Sequence, residues 1–386
     1  MSAVAIKGWC PGALRPMPSG DGLVVRVRPY GGRLSAAQAG GIADLAERHG
    51  NGLIDLTSRA NLQIRGVNDD EHQPLLDGLA RLELLDPDPG TEGRRNVLVT
   101  PFWRAGDDTS SLAAELEQAL ADCALDLPTK FGFAVDDGTE RTLAAASADV
   151  RIERDLGGGL IVRTDGAELG RPVSRADAVE TALALAEWFV TSGGAKGGRG
   201  RMAAHCRAGA RLPDALRGDA APAKMMALAL PGLHPQGALV GAAFGQLTPS
   251  ALRYLAGLAP ALRMTPWRMM LVEGLRELPR RDDLITRADD PALRAIACSG
   301  APRCREAHAD VRVLAAALAP RIAPDAHLHV SGCAKGCALS GPASITLVAT
   351  AAGFDLIRDG STRDIPTLRG LSAADIMASP SIVGGR

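Results

Sequence analysis

Leu53-Ile54-Asp55-Leu56-Thr57, followed after Ser58-Arg59-Ala60-Asn61 by Leu62-Gln63-Ile64-Arg65, reads as two pieces of strand. Leu262-Arg263-Met264-Thr265-Pro266-Trp267-Arg268-Met269-Met270-Leu271-Val272 reads as a returning strand of the same kind, and Leu56-Thr57-Ser58-Arg59 lies beside Met264-Thr265-Pro266-Trp267-Arg268 in position. The surroundings repeat as well. Upstream of the first copy, Leu23-Val24-Val25-Arg26-Val27-Arg28 alternates as a strand does, and Ser35 N-caps a helix reaching Arg48. Asn51-Gly52 then makes the turn. Upstream of the second, residues 237–244 form a strand candidate and Thr248 caps a helix over 249–258. The period is about 210 residues, too long for a solenoid. It implies an α+β protein with a duplicated module related by a pseudo-twofold axis.

Between the copies lies an α/β segment. It carries strands over 97–100, 131–135 and 159–163, an amphipathic helix over 112–123 and a long helix over 175–190. A Gly-rich basic loop follows over 192–201. After the second copy, residues 292–297 lead to Cys298, 311–318 are helical, 327–330 form a strand leading to Cys333, and 344–349 form another strand.

Four cysteines carry the chemistry. Cys298 and Cys304 are separated by five residues, Cys333 and Cys337 by three. Each pair can bring two thiolates to one centre, and the intervening helix and strand must fold the pairs together. Four thiolates from two loops are the ligand set of a [4Fe–4S] cluster. Gly332 and Gly336 allow the backbone close to such a cluster, where free amides can bond to sulfur. Zinc is the first rival, but five residues between one pair fits it poorly. The seven cysteines are an odd number, with Cys10, Cys123 and Cys206 standing alone, so an oxidised secreted scaffold is not expected.

At 386 residues the chain can hold two or three domains, and its net charge of −1 provides no field that would steer it to nucleic acid or to a membrane surface. The first nine residues lack an apolar signal-peptide core. The apolar stretch 225–244 is interrupted by Pro231, His234, Pro235 and Gln236, so no membrane span is expected. A cytoplasmic protein is the expectation.

The paired cysteines, the duplication and the Thr-x-Arg strand together resemble the nitrite/sulfite reductase superfamily over nearly the whole chain. Within it the chain is most similar to the oxygen-dependent precorrin-3B synthases of aerobic cobalamin biosynthesis. The resemblance rests on Thr57-Ser58-Arg59-Ala60-Asn61-Leu62-Gln63, Gly93-Arg94-Arg95-Asn96-Val97, Leu127-Pro128-Thr129-Lys130-Phe131-Gly132 and the run from His329 to Ala338. It implies Arg59, Arg95 and Lys130 as substrate-binding cations. Gly132 stands where sulfite reductases usually carry a second lysine, and no cysteine lies near Gly93.

The fold so implied is nitrite/sulfite reductase-like: duplicated ferredoxin-like half-domains at 10–70 and 235–285, a central α/β domain at 75–230, and a [4Fe–4S] domain at 290–380. Cys298, Cys304, Cys333 and Cys337 would hold the cluster. A mononuclear non-haem iron is implied beside it. The substrate implied is precorrin-3A, hydroxylated at C20 with closure of a γ-lactone, using O2 and electrons from NADH through a reductase or ferredoxin. Arg65, Arg199, Arg201 and Arg268 are further candidates for carboxylate contacts. The iron's ligands are not legible: His327 and His329 share a strand face, while His205, His234 and His308 are isolated. Gly198-Arg199-Gly200-Arg201-Met202-Ala203 formally fits a dinucleotide fingerprint but follows no strand, so that reading is rejected. The loop around it is an anion cradle or a connector. One alternative is a siroheme-dependent sulfite or nitrite reductase, with Cys337 bridging cluster and haem iron. Another is an electron-transfer protein with no catalysis, which would have no use for an anion pocket.

Overall fold

The computed structural model describes residues 11–379. Residues 1–10, Cys10 among them, and residues 380–386 lie outside the described residues. The described chain forms four five-stranded sheets.

The two sequence copies build the first pair of sheets. One sheet runs Met17–Ser19, Gly22–Val27, Leu62–Val67, Ile54–Leu56, with Gln246–Leu247 at its edge. The other runs Gly232–His234, Gly237–Gly241, Met269–Glu273, Ala261–Met264, with Arg33–Ser35 at its edge. The last strand of each sheet comes from the opposite copy. Arg33–Ser35 pairs antiparallel with Ala261–Met264, and Gln246–Leu247 pairs antiparallel with Ile54–Leu56. This reciprocal exchange covers an edge that either copy alone would expose. Segments 10–70 and 235–285 therefore contribute jointly to both sheets. The helices that follow the exchanged strands, Ala36–His49 and Pro249–Leu258, pack on one another. Ile42, Ile64, Leu252, Leu255 and Met270 lie in one shared core. Ser35 and Thr248 cap these helices as the sequence suggests, accepting from the amides of Gln38 and Ala251.

The structure corrects the alignment of the two turns. Ala60 (φ 53°) and Arg268 (φ 59°) hold the same left-handed position. Thr57 Oγ1 accepts the Arg59 amide at 3.2 Å, and Thr265 Oγ1 accepts the Trp267 amide at 3.3 Å. Trp267 is thus the counterpart of Arg59, and Arg268 that of Ala60. Residues 262–272 are not one strand but two, Ala261–Met264 and Met269–Glu273, joined by this turn.

The duplication extends further than the sequence reading recognised. The central sheet has the order Val97–Val99, Phe133–Asp136, Val150–Arg154, Leu160–Thr164, Arg171–Pro172. The C-terminal sheet has Ala295–Ala297, Leu328–Ser331, Ala343–Thr350, Gly353–Gly360, Leu368–Leu371. In each, the first three strands are parallel and the next two connections antiparallel. A helix follows the first strand in both, Thr109–Asp122 in one and Val311–Leu318 in the other. The chain is two copies of a half-module plus lobe, and the carboxyl ends of the parallel strands are where loops can build a site. No helix among the described residues is long and apolar enough to cross a membrane.

Candidate metal centre and anion pocket

Ala295–Ala297 and Leu328–Ser331 are adjacent parallel strands, with Ala297 beside Val330. Cys298 therefore leaves the end of one strand and Cys333 the end of its neighbour. This register answers how the two pairs meet. The Gly332 amide donates to Cys298 Sγ at 3.2 Å, tying the second loop to the first. A Cβ on Gly332 would stand 2.7 Å from Ala307 Cβ and 3.4 Å from Cys298 Sγ, so only glycine fits there. Gly336 has φ 62° and would bring a Cβ within 2.7 Å of Thr362 Oγ1. The loops are pinned by their own backbone: Cys304 N–H to Gly300 O at 2.7 Å, His308 N–H to Gly332 O at 2.9 Å. Thr362 Oγ1 donates to Ala334 O at 3.0 Å.

Cys298, Cys304 and Cys333 are partly buried, and Cys337 is exposed. Burial raises the thiols of Cys333 and Cys337, and the neighbouring cysteines of the set raise them further. Four thiols within one another's field, with an amide on one sulfur, suit a cationic centre that takes thiolates. No group of three or more His, Cys, Asp or Glu among the described residues could hold a metal ion. A tetrahedral zinc would draw four sulfurs to within about 2.3 Å of one point. A cubane keeps its thiolates apart at its corners.

That same absence bears on the mononuclear iron. The histidines are committed elsewhere or stand without a carboxylate. His49 pairs with Glu71, His72 with Ala13 O, His205 with Ser192 Oγ and His234 with Leu230 O. His327 is exposed, whereas His329 is fully buried, and neither ring nitrogen of His329 has a hydrogen-bond partner. Burial and the nearby Arg268 push His329 down to about 4. A two-histidine, one-carboxylate site is not assembled among these residues.

The basic residues divide between two places. Arg59 donates to Lys130 O at 3.0 Å and lines a small cavity with Asn61, Asn96, Val97, Leu98 and Ser147. A Cβ on Gly132 would lie 3.1 Å from Asn96 O and 3.7 Å from Arg59 Nη1, so a side chain here would crowd the Asn96 carbonyl and reach the Arg59 guanidinium. Asp149, fully buried, accepts from the amides of Gly132 (3.0 Å) and Met202 (2.8 Å) and from Arg201 Nε (2.9 Å). It fixes the Lys130 loop and brings Arg201 to Ser147 Oγ at 3.0 Å, on the cavity's rim.

Arg95 is not among them, contrary to the expectation that it faces the substrate beside Arg59. Its guanidinium is buried against Asp86 at 2.7 and 2.8 Å, with Glu117 at 3.5 Å and the Tyr30 ring at 3.7 Å. It lines a separate cleft of about 830 Å³ with Tyr30, Asp86, Trp103 and Glu117. Arg65 is likewise spent on Asp21 and Asp55. The residues missed by sequence reasoning are Asp149 and Arg312. Arg312 donates through Nε to Cys298 O at 3.1 Å. Neither carries a local signal, since each acts across the fold.

Residues 15–82 match the family described as nitrite/sulfite reductase ferredoxin-like half domain. The fold is shared with the NirA protein of Mycobacterium tuberculosis, at TM-score 0.62 and 18% identity over 92% of this chain and 79% of that one. A ferredoxin–nitrite reductase of Synechococcus elongatus is 30% identical over 149 residues, 35% of this chain and 28% of the reductase. A precorrin-3B synthase of a Sinorhizobium species is 30% identical over 94% of this chain and 84% of its own length. At 30% identity over nearly the whole length of this chain and most of that synthase, the relation shows that the chain belongs to the precorrin-3B synthase family.

Proposed function

We propose that this protein is the monooxygenase that converts precorrin-3A to precorrin-3B, hydroxylating C20 and closing an acetate side chain into a γ-lactone, in aerobic cobalamin biosynthesis. The observation that carries the reading is the relation to a precorrin-3B synthase over 94% of this chain and 84% of that protein, joined to two cysteine-bearing loops that leave adjacent parallel strands. One oxygen atom of O2 enters the product. The other leaves as water, which requires two electrons and two protons.

Cys298, Cys304, Cys333 and Cys337 are the residues that would hold a [4Fe–4S] cluster, which supplies electrons one at a time. The rest falls to the chain's own side chains. Arg59 and Lys130 receive carboxylates of the tetrapyrrole, with Arg59 oriented by its bond to Lys130 O. Asn61 and Asn96 line the same cavity and can donate to the substrate's polar edge. Asp149 holds the loop so that these groups are placed before substrate arrives. The described residues do not fit a mononuclear iron held by two histidines and a carboxylate. Electrons come from NADH through a separate reductase or ferredoxin. The Gly-rich run 192–201 follows the helix Ala178–Thr191 rather than a strand, which removes the context a dinucleotide site needs.

The test is anaerobic reconstitution followed by reaction with precorrin-3A under ¹⁸O2 and a reductant. A lactone product that carries one labelled oxygen, at the C20 hydroxyl, supports the reading; an intact substrate with reduction of sulfite or nitrite instead would replace it with the reductase function.

A further inference from the structure

Three guanidiniums, that of Arg65 buried and those of Arg268 and Arg312 mostly buried, meet where the half-modules touch the cysteine loops, and two carboxylates answer them. Arg65 pairs with Asp21 at 2.7 Å and with Asp55 at 3.3 Å. Arg312 stands 3.6 Å from the other oxygen of Asp55, which Gln246 also occupies at 2.8 Å. Arg268 feels Asp55 only at longer range and makes no salt bridge among the described residues. Asp55 and Asp21 supply two negative charges to three positive ones. One buried positive charge is left over, and a buried charge without a partner is costly.

Both arginines short of a partner reach for the cysteine loops. Arg312 Nε donates to Cys298 O at 3.1 Å, and its Nη1 has no hydrogen-bond partner. Arg268 Nη2 points to Ala338 O, the residue after Cys337, at 3.5 Å. Phe244 covers Arg312 with its ring centroid 5.9 Å away. The fold itself does not require this arrangement. In the other half of the pseudo-dyad the position of Arg268 is taken by Ala60, and the position of His329 on the second parallel strand by Ala134. Both alanines are buried in the apolar core. The polar version exists only in the half that carries the four cysteines.

Four thiolates outweigh the charge of a [4Fe–4S] cube, so the bound centre is a net anion. We propose that Arg312 and Arg268 are its buried counter-charge: they neutralise it from behind the cysteine loops and hold its reduction potential above the value that the thiolates alone would set. Adding an electron to an anion is favoured by a fixed cation nearby, and more so where water is excluded. The inference rests on the proposed reading of the cysteines as cluster ligands.

The experiment is a redox titration, followed by electron paramagnetic resonance, on the reconstituted full chain and on Arg312→Gln, Arg268→Gln and Arg312→Lys. The expected result is a shift to more negative potential in both glutamine variants, with Arg312→Lys remaining near the parent. The cluster-free Arg268→Gln protein should melt no lower than the cluster-free parent, because it loses an unpaired buried charge. Unchanged potentials, with a lower melting temperature in the cluster-free variants, would assign both arginines to packing alone and overturn the proposal. A parent protein that takes up neither iron nor sulfide would overturn the cluster reading itself, and this inference with it. If Arg312→Gln does not fold, Arg268→Gln and Arg312→Lys still decide it.

Discussion

Arg59 reaches its place through a turn whose threonine caps its own backbone, and it is held there by Lys130 O. A charge-assisted hydrogen bond to a substrate carboxylate is worth about 1.5–3 kcal/mol. Arg59→Ala is therefore expected to weaken tetrapyrrole binding by about 10–100-fold, with the melting temperature little changed; steady-state KM or a binding titration reads it. Arg95→Ala should do the reverse, unfolding the protein more easily by breaking a buried ion pair with Asp86 while leaving no direct defect in binding. His329 sets a pH dependence. Its ring is held near pKa 4 in the fold, against about 6.5 when free. A lowered pKa contributes stability that is present above the free value and is lost as pH falls through 6.5 toward 4, by up to about 3 kcal/mol. Urea melts of the parent and His329→Leu across that window should differ by this slope, with the variant flatter. At this scale the meeting of the two cysteine loops is legible in the sequence, because each pair is short and the strand before it brings its loop beside the other. Arg95 was not: the partners that claim it, Asp86, Glu117 and Tyr30, come from separate segments, and nothing beside Arg95 in the chain announces the pairing.

Elements with local signals are legible in the sequence, and elements without them are not. The helices Ala36–His49 and Pro249–Leu258 begin at Ser35 and Thr248, where capping side chains precede apolar positions of helical period. The exchanged strands Arg33–Ser35 and Gln246–Leu247 are three and two residues long. Such lengths carry no periodicity, so the interlocking of the two copies was invisible until the pairing was seen. The turn at Thr265–Arg268 was hidden for a related reason: Met264 and Met269 flank it with apolar residues, and the run reads as continuous. The cysteine loops test the element scale most sharply. Gly332→Ala would force a methyl to within 2.7 Å of Ala307 Cβ and against Cys298 Sγ. The expected outcome is a protein that folds but binds far less iron and sulfide after reconstitution; normal loading would show that the loop has room to spare.

Across the whole molecule, each half-module completes its sheet with a strand from the other. The segment 15–82 that matches the half-domain family thus lacks an edge strand of its own sheet when cut free. Expressed alone it should aggregate or give the collapsed spectra of an unfolded chain, and dispersed amide resonances from that fragment would contradict the interlocked picture. The lobes, too, are a pair: the same five-strand order appears in both, yet only the C-terminal lobe places cysteines at the ends of its parallel strands. The half-modules were recognisable from the sequence because their turn and helix caps recur. The lobes were not, since the strands correspond in order while their residues have diverged. The account as a whole stands on the four cysteines holding one [4Fe–4S] cluster in a protein without siroheme. Its most direct test is an absorption spectrum with iron and acid-labile sulfide analysis on protein purified without air. The account predicts a broad shoulder in the blue that bleaches on reduction, about four irons and four sulfides in the cluster, and loss of both in Cys333→Ser. Sharp siroheme bands, or iron without sulfide, would contradict it.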